Sequence, residues 1–473
     1  MKKLLFKKTK VNENEETKDQ QSHSSFFIYK NLAIITFAVF INFTGFSGLQ
    51  NLQSSLHPEI GFICLCILYA AFMVSCLFLP NLTVWKLGYK YTMVLGMNGY
   101  ATFSMAQFYP KLWLMAISAC IAGCASAIFW SSISSMLTLL ATRHANDTKT
   151  DFDSINQKFF AIFYFGFRMA HVIGNLISSV VLTKDSTTDS VSVNFTQPNL
   201  QCGIQNCPGQ LTQNINVTLP KTDLTSSNVQ QLFYIYLGTG IFGVIAVLLT
   251  LSNLKDQSPV AHKTLKRELG AVLVFLRNTT IWKLSVLPIG IGISLGFVYS
   301  DLTKAFVTCA FGVNNVGYSM MCFGASSCVS SFIIQSIVRK TGSFVIILIG
   351  WFVYMATIVW LFFWEISEQP LYVVFITISL LGFSDVAVFS QIHGFFGVMF
   401  PENKTEVFSV FKVFNSLGQA SYFAYGNHLC IRTKLFIVIA FYLVGICLYA
   451  HVYRGFTKDI KKPKDIEMEP INS

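Results

Sequence analysis

The sequence predicts an all-α membrane protein with twelve transmembrane helices in two six-helix halves. Of the 473 residues, 53% are hydrophobic and only 12% are charged, whereas roughly a quarter of a soluble chain is charged. Twelve apolar runs each approach the roughly 20 residues that a spanning helix needs. The net charge of +11 lies in tails and short connections between these runs, which indicates membrane orientation rather than nucleic-acid binding.

The apolar runs follow one another in two sets. A polar tail over residues 1–30 is predicted to be disordered, because it has too little apolar surface to offset ordering entropy. The first half, 31–253, has runs at about 31–50, 59–80, 91–108, 113–142, 159–183 and 231–253. After a cytosolic connector at 254–282, the second half, 283–452, has runs at about 284–308, 314–337, 343–364, 370–398, 405–427 and 433–452. A cytosolic tail follows at 453–473.

The placement of lysine and arginine predicts that both termini are cytosolic. Of 34 such residues, three fall within runs, which leaves 26 on the inner side and five on the outer side. The five outer ones are Lys111, Lys184, Lys221, Arg432 and Lys434. We expect a multi-pass protein of the plasma membrane.

The long polar loop at 184–230 is then extracellular or luminal. It contains two candidate N-glycosylation sites, Asn194 and Asn216, each in an Asn-x-Thr motif. Cys202 and Cys207 lie in the same loop, and an oxidising compartment makes a disulfide between them a candidate.

Charged groups inside spans usually pair with each other or face a cavity. Asp301 and Lys304 are one turn apart in the seventh run, so they are either an ion-coupling pair or a self-compensating structural pair. Arg168, in the fifth run, cannot lose its charge and needs a counter-ion. Asp385, at similar depth in the tenth run, is the candidate partner. The two form either a site for an anionic group or a structural ion pair.

His171 lies one turn after Arg168, and it either titrates near physiological pH or packs as a hydrogen-bonded residue. Asn175 and Gln391 complete the candidate intramembrane polar site. The sequence has no HExxH, GxSxG or phosphate-cradling motif and no paired CxxC motifs. We therefore predict no enzyme activity, no cofactor and no metal site.

The two halves resemble each other at one loop. Lys86-Leu-Gly88-Tyr-Lys90 follows the second run, and Arg339-Lys340-Thr-Gly342-Ser343 follows the eighth. Parallel six-helix halves with a cytosolic connector are the plan of the major facilitator fold. The acidic residue of that superfamily's loop signature is missing from both loops, which weakens the case for ordinary transport cycling.

Several motifs together resemble the unc-93 family of major-facilitator-like proteins, and most closely its homolog A branch. They are the first-helix sequence from Gly48 to Leu56, Gly174-Asn175, Ser300-Asp-Leu-Thr-Lys304, Val316-Gly-Tyr318 and Gly382 to Asp385 with Gln391. Arg168 and His171 depart from the family pattern, in which polar uncharged residues are usual.

The resemblance implies a twelve-helix membrane protein. The nematode founder of the family is a regulatory subunit of a potassium channel complex, and another branch escorts Toll-like receptors. We therefore expect a regulatory subunit whose partner is a potassium channel or another membrane protein. The alternatives are a secondary transporter of the major facilitator type and a trafficking chaperone for a membrane receptor.

Overall fold

The computed structural model describes residues 2–57, 60–183, 202–208, 226–253, 277–364, 371–400 and 404–461, with residues 2–24 as backbone only. These residues are helical apart from short turns and connections, and none of them forms a strand. The predicted all-α class is confirmed for this part of the chain. Most of the connector, the last twelve residues and both candidate glycosylation sites, Asn194 and Asn216, lie outside the described residues.

The described residues of the first half form six long helices. They are α1 (Lys2–Leu56), α2 (Gly61–Ser75), α3 (Leu79–Ala106), α4 (Leu112–Thr148), α5 (Phe152–Thr183) and α6 (Ser227–Thr250). The tail that we predicted to be disordered continues α1 as a helix from Lys2. Its glutamate, glutamine and lysine residues are good helix formers, which explains this difference.

The described residues of the second half form six more long helices. They are α7 (Thr279–Phe311), α8 (Asn314–Thr341), α9 (Ser343–Phe363), α10 (Leu371–Met399), α11 (Lys404–Tyr425) and α12 (Ile431–Lys461). α12 continues beyond residue 452, the predicted end of this half. Tyr453 and Phe456 extend its apolar packing, since both rings lie against Phe395 of α10.

The seventh helix changes from α-helical to π-helical geometry along its length. It is α-helical over Thr279–Phe297, π-helical over Val298–Thr308 and ends with a short α-helical turn, Cys309–Phe311. The π-helical part contains both Asp301 and Lys304. Wide turns of this kind occur often at functional sites, because they re-aim side chains relative to a regular helix.

Nine of the described helices are long and apolar enough to cross a membrane. The three others, α2, α3 and α11, coincide with runs that we predicted to span. α2 is a shorter apolar helix of 15 residues. α3 is interrupted at Gly88, where φ is 73° and ψ is 171°.

Gly88 and Gly342 support the predicted likeness between the two halves. Gly342, in the corresponding loop between α8 and α9, has φ of 84° and ψ of 157°, nearly the same backbone conformation as Gly88. A Cβ atom at either glycine would meet nothing within 4 Å. Glycine is needed at both places for its positive φ rather than for space.

The two halves meet mainly along three helix pairs: α5 with α8, α2 with α11, and α1 with the π-helical part of α7. Packing is close where α8 crosses α5, because a Cβ atom at Gly317 would collide with the Asn175 carbonyl and the hydroxyls of Ser178 and Ser179. Ser54 Oγ donates a hydrogen bond of 3.1 Å to the Ser300 carbonyl at the α1–α7 contact. The polar residues of interest lie along this boundary.

Candidate functional site

An ion pair joins the two halves between α5 and α10. Arg168 Nη1 lies 3.6 Å from Asp385 Oδ2, which is a charge contact rather than a short hydrogen bond. The two side chains are 20% and 12% exposed, respectively, so both charges are largely removed from solvent but remain reachable. The structure thus brings together the two charges that sequence reasoning proposed as partners.

Polar residues of α5 continue away from this pair toward α1. His171 lies one turn after Arg168, and its ring packs edge-on against Phe167 at 4.9 Å between centroids. Asn175 Nδ2 donates a hydrogen bond of 2.6 Å to the His171 carbonyl. Its Oδ1 accepts a hydrogen bond of 3.0 Å from Asn51 Nδ2 on α1. His171 and Asn175 therefore belong to one continuous polar face beside the pair.

Asp301 pairs with Lys434, whereas both of our interpretations paired it with Lys304. Lys434 Nζ lies 2.7 Å from Asp301 Oδ2 and donates a second hydrogen bond of 2.6 Å to the Gly426 carbonyl. The Tyr422 hydroxyl of α11 donates a hydrogen bond to the same carboxylate. Both charged residues are buried, and a buried carboxylate needs such compensation.

Sequence reasoning counted Lys434 among the basic residues of the outer side and so missed it as the partner of Asp301. α12 begins at Ile431, so Lys434 already lies in its first turn, where this helix packs against α7. The available signal was that Lys434 lies next to the start of the last apolar run, where a helix begins.

Lys304 instead faces an aromatic ring of the other half. Its Nζ lies 5.4 Å from the ring centroid of Phe62, at the start of α2. Lys434 Nζ lies 5.3 Å from the same ring. A desolvated ammonium group over an aromatic ring is held by the ring quadrupole. Phe62 therefore connects the first half to two cations of the second half.

The disulfide predicted between Cys202 and Cys207 is wrong. Cys202 is bonded to Cys309 at the end of α7, and Cys207 is bonded to Cys430 just before α12. The residues between them form a short 3₁₀ turn, Gly203–Gln205, which lies against α7, α9 and α12.

The backbone of the same segment is also attached, because Ile431 N–H donates a 3.1 Å hydrogen bond to the Asn206 carbonyl. We call residues 202–208 the outer cap. It belongs by sequence to the first half and by bonding to the second. Since spacing alone does not determine connectivity, four outer cysteines left several pairings open. Cys309 lies at the end of the seventh apolar run rather than in the polar loop, so the loop sequence alone does not indicate it as a partner.

Gln391 is not brought to either charge cluster by a hydrogen bond. Its Nε2 donates a hydrogen bond of 3.1 Å to the neighbouring Ser390 hydroxyl, which is a local contact on α10. The candidate site thus consists of a central pair, Arg168 with Asp385, and an outer cluster around Asp301.

The comparisons with known proteins agree on one family. The model of a family described as "Ion channel regulatory protein UNC-93" matches residues 53–450. The Xenopus laevis protein unc-93 homolog A is 32% identical over 89% of this chain and 92% of that protein. The Homo sapiens homolog A is 29% identical over 89% of this chain and 93% of its own length.

A relative from Caenorhabditis elegans is named putative potassium channel regulatory protein unc-93. It is 26% identical over 94% of this chain and 64% of that protein. Among solved structures, the nucleoside transporter NupG superimposes with a TM-score of 0.59 at 12% identity, covering 89% of this chain and 98% of that one. This last likeness shows only that the chain shares the fold of that transporter.

Proposed function

This chain belongs to the UNC-93 family of membrane proteins, and on that premise we propose that it is a regulatory subunit of a potassium channel complex. One observation carries the proposal: the similarity to the Caenorhabditis elegans protein extends over 94% of this chain. The family model, whose description names ion channel regulation, matches both halves. The description does not name an enzyme class.

The geometry favours a regulator over a rapidly cycling carrier. A carrier of this fold separates its halves alternately on each side of a central site. Here the boundary is held by the Arg168–Asp385 pair and by Phe62 against Lys304 and Lys434. The Gly88 and Gly342 loops also lack the acidic residue of the transport signature. These features suit a protein with few, long-lived conformations.

We propose twelve spans with both termini in the cytosol. α2, α3 and α11 support this count, because they coincide with the three predicted runs that are not among the nine long apolar helices. The disulfides Cys202–Cys309 and Cys207–Cys430 support an extracellular or luminal position for residues 202–208, because disulfides persist in oxidising compartments. Reporter tags at the amino terminus and in the 184–230 loop test this, and finding both on one side would contradict it.

Co-expression with a panel of potassium channels under voltage clamp tests the regulatory role. We expect the current of at least one channel to change several-fold, and we expect an unrelated sodium channel to be unaffected. Counting channels at the cell surface separates gating from escort. A current change fully explained by channel number would make the protein a trafficking chaperone instead.

A secondary transporter is the second candidate, because the Arg168–Asp385 pair remains partly exposed between the halves. An anionic solute could replace Asp385 as the partner of Arg168. Flux into proteoliposomes that contain the purified chain alone distinguishes the two. Saturable, gradient-dependent uptake that Arg168→Gln abolishes would establish transport and overturn the regulatory proposal.

A further inference from the structure

The outward face of α12 changes character along its length. Leu443 and Val444 are exposed apolar residues, as expected for contact with lipid tails. Further along the same face, the exposed residues become His451, Arg454 and Lys458. Residues three and four apart lie on one side of a helix. The stripe therefore passes from apolar to cationic within about three turns.

The opposite face of α12 is fixed by aromatic packing. The ring centroid of Tyr453 lies 4.7 Å from that of Phe344 at the start of α9. Tyr449 and Phe456 pack edge-on against Phe395 of α10. Because three rings anchor this part of the helix, the cationic stripe is held in a constant orientation rather than carried on a loose tail.

A cleft of about 490 Å³ follows the stripe and is lined by Cys447, Ala450, His451, Arg454, Gly455 and Lys458. A Cβ atom at Gly455 would meet nothing within 4 Å, so this glycine leaves an open notch in the lining of the cleft. Neither Arg454 nor Lys458 forms an ion pair with another described residue. The cleft thus has small residues at its apolar end and two exposed basic side chains at the other.

We propose that this cleft binds one anionic phospholipid of the cytosolic leaflet. Its phosphate would contact Arg454 and Lys458, and an acyl chain would lie along Ala450 and Cys447. The anionic cytosolic leaflet attracts basic residues just beyond a span, and this electrostatic attraction increases with each cation near the surface. The assignment to the cytosolic leaflet rests on the orientation proposed above, whereas the binding itself does not.

The full chain, purified in detergent, is titrated with a short-chain phosphatidylinositol phosphate, and bound lipid is counted by native mass spectrometry. Phosphatidylcholine with the same chains is the neutral reference. We expect Arg454→Gln/Lys458→Gln to weaken binding roughly 10- to 30-fold, as removal of two surface cations implies. The matched control, Lys86→Gln/Lys283→Gln, removes two exposed lysines elsewhere and should change binding less than about two-fold.

A third variant tests the shape of the site without changing charge. Gly455→Leu fills the notch and should weaken binding while leaving the melting temperature unchanged. Equal losses in the test and control variants, or equal binding of phosphatidylcholine, would overturn the proposal. So would full competition by millimolar inorganic phosphate, which would indicate a site for a free anion. Because both lipid leaflets are absent in detergent, a reversed orientation would leave these results unchanged and would be detected by the reporter tags alone.

Discussion

Neutralising one member of the central ion pair should cost more stability than neutralising both. At 3.6 Å, two unit charges attract by about 4–5 kcal/mol at an effective dielectric constant of about 20. The side chains are only 20% and 12% exposed, and local relaxation around the charge that is left alone offsets part of the lost attraction. We therefore expect Arg168→Gln to lower the free energy of unfolding by roughly half of that attraction, about 2 kcal/mol.

The double variant Arg168→Gln/Asp385→Asn removes both charges and should recover at least about 1 kcal/mol of this loss. Heating detergent-solubilised protein and measuring the surviving size-exclusion peak gives the melting temperature. A loss of about 2 kcal/mol corresponds to a decrease of roughly 4–8 °C for a unit the size of one half. Lys283→Gln, at an exposed site, is the control. If the double variant melts as low as the sum of the single effects, the two charges are not coupled and the reasoning fails.

Three further outcomes follow from the boundary between the halves. Lys434→Met leaves the buried Asp301 carboxylate without its cation and should lower the free energy of unfolding by about 3–5 kcal/mol. Lys304→Met removes only a cation–π contact and should lower it by about 1 kcal/mol. Equal melting temperatures of the two variants would contradict the assignment of Lys434 as the partner of Asp301. Gly317→Ala forces α5 and α8 apart and should cost about 1–3 kcal/mol, while Gly238→Ala, with nothing near its Cβ position, should be neutral or slightly stabilising. Non-reducing digestion and mass spectrometry should recover peptides joined through Cys202–Cys309 and Cys207–Cys430, and a peptide joined through Cys202–Cys207 would refute these disulfides.

The fold was largely predictable because each span carries its own signal. Apolar runs of the right length report helices one at a time, and Gly88 and Gly342 revealed the repeat because positive φ demands glycine in both loops. Arg168 could be matched with Asp385 because a permanent charge at that depth requires a counter-ion, and few acids lie within runs.

The outer cluster could not be predicted in the same way. Lys434 stands near a polar turn, where a lysine normally extends to water. Its burial depends on how closely α12 packs against α7, which is a property of the assembled fold. The disulfides depend on where a long loop settles, and four outer cysteines allow more than one arrangement. In both cases the deciding contacts join residues that are more than 100 positions apart.

The two disulfides of the outer cap connect the two halves of the chain covalently. The two cysteines of the cap precede the connector at 254–282, and their partners, Cys309 and Cys430, follow it. A protease that cut the chain inside this connector would therefore produce two fragments that still migrate as one species until a thiol reductant is added. The cut protein would remain one covalently linked molecule, because the disulfides of the outer cap join its two halves.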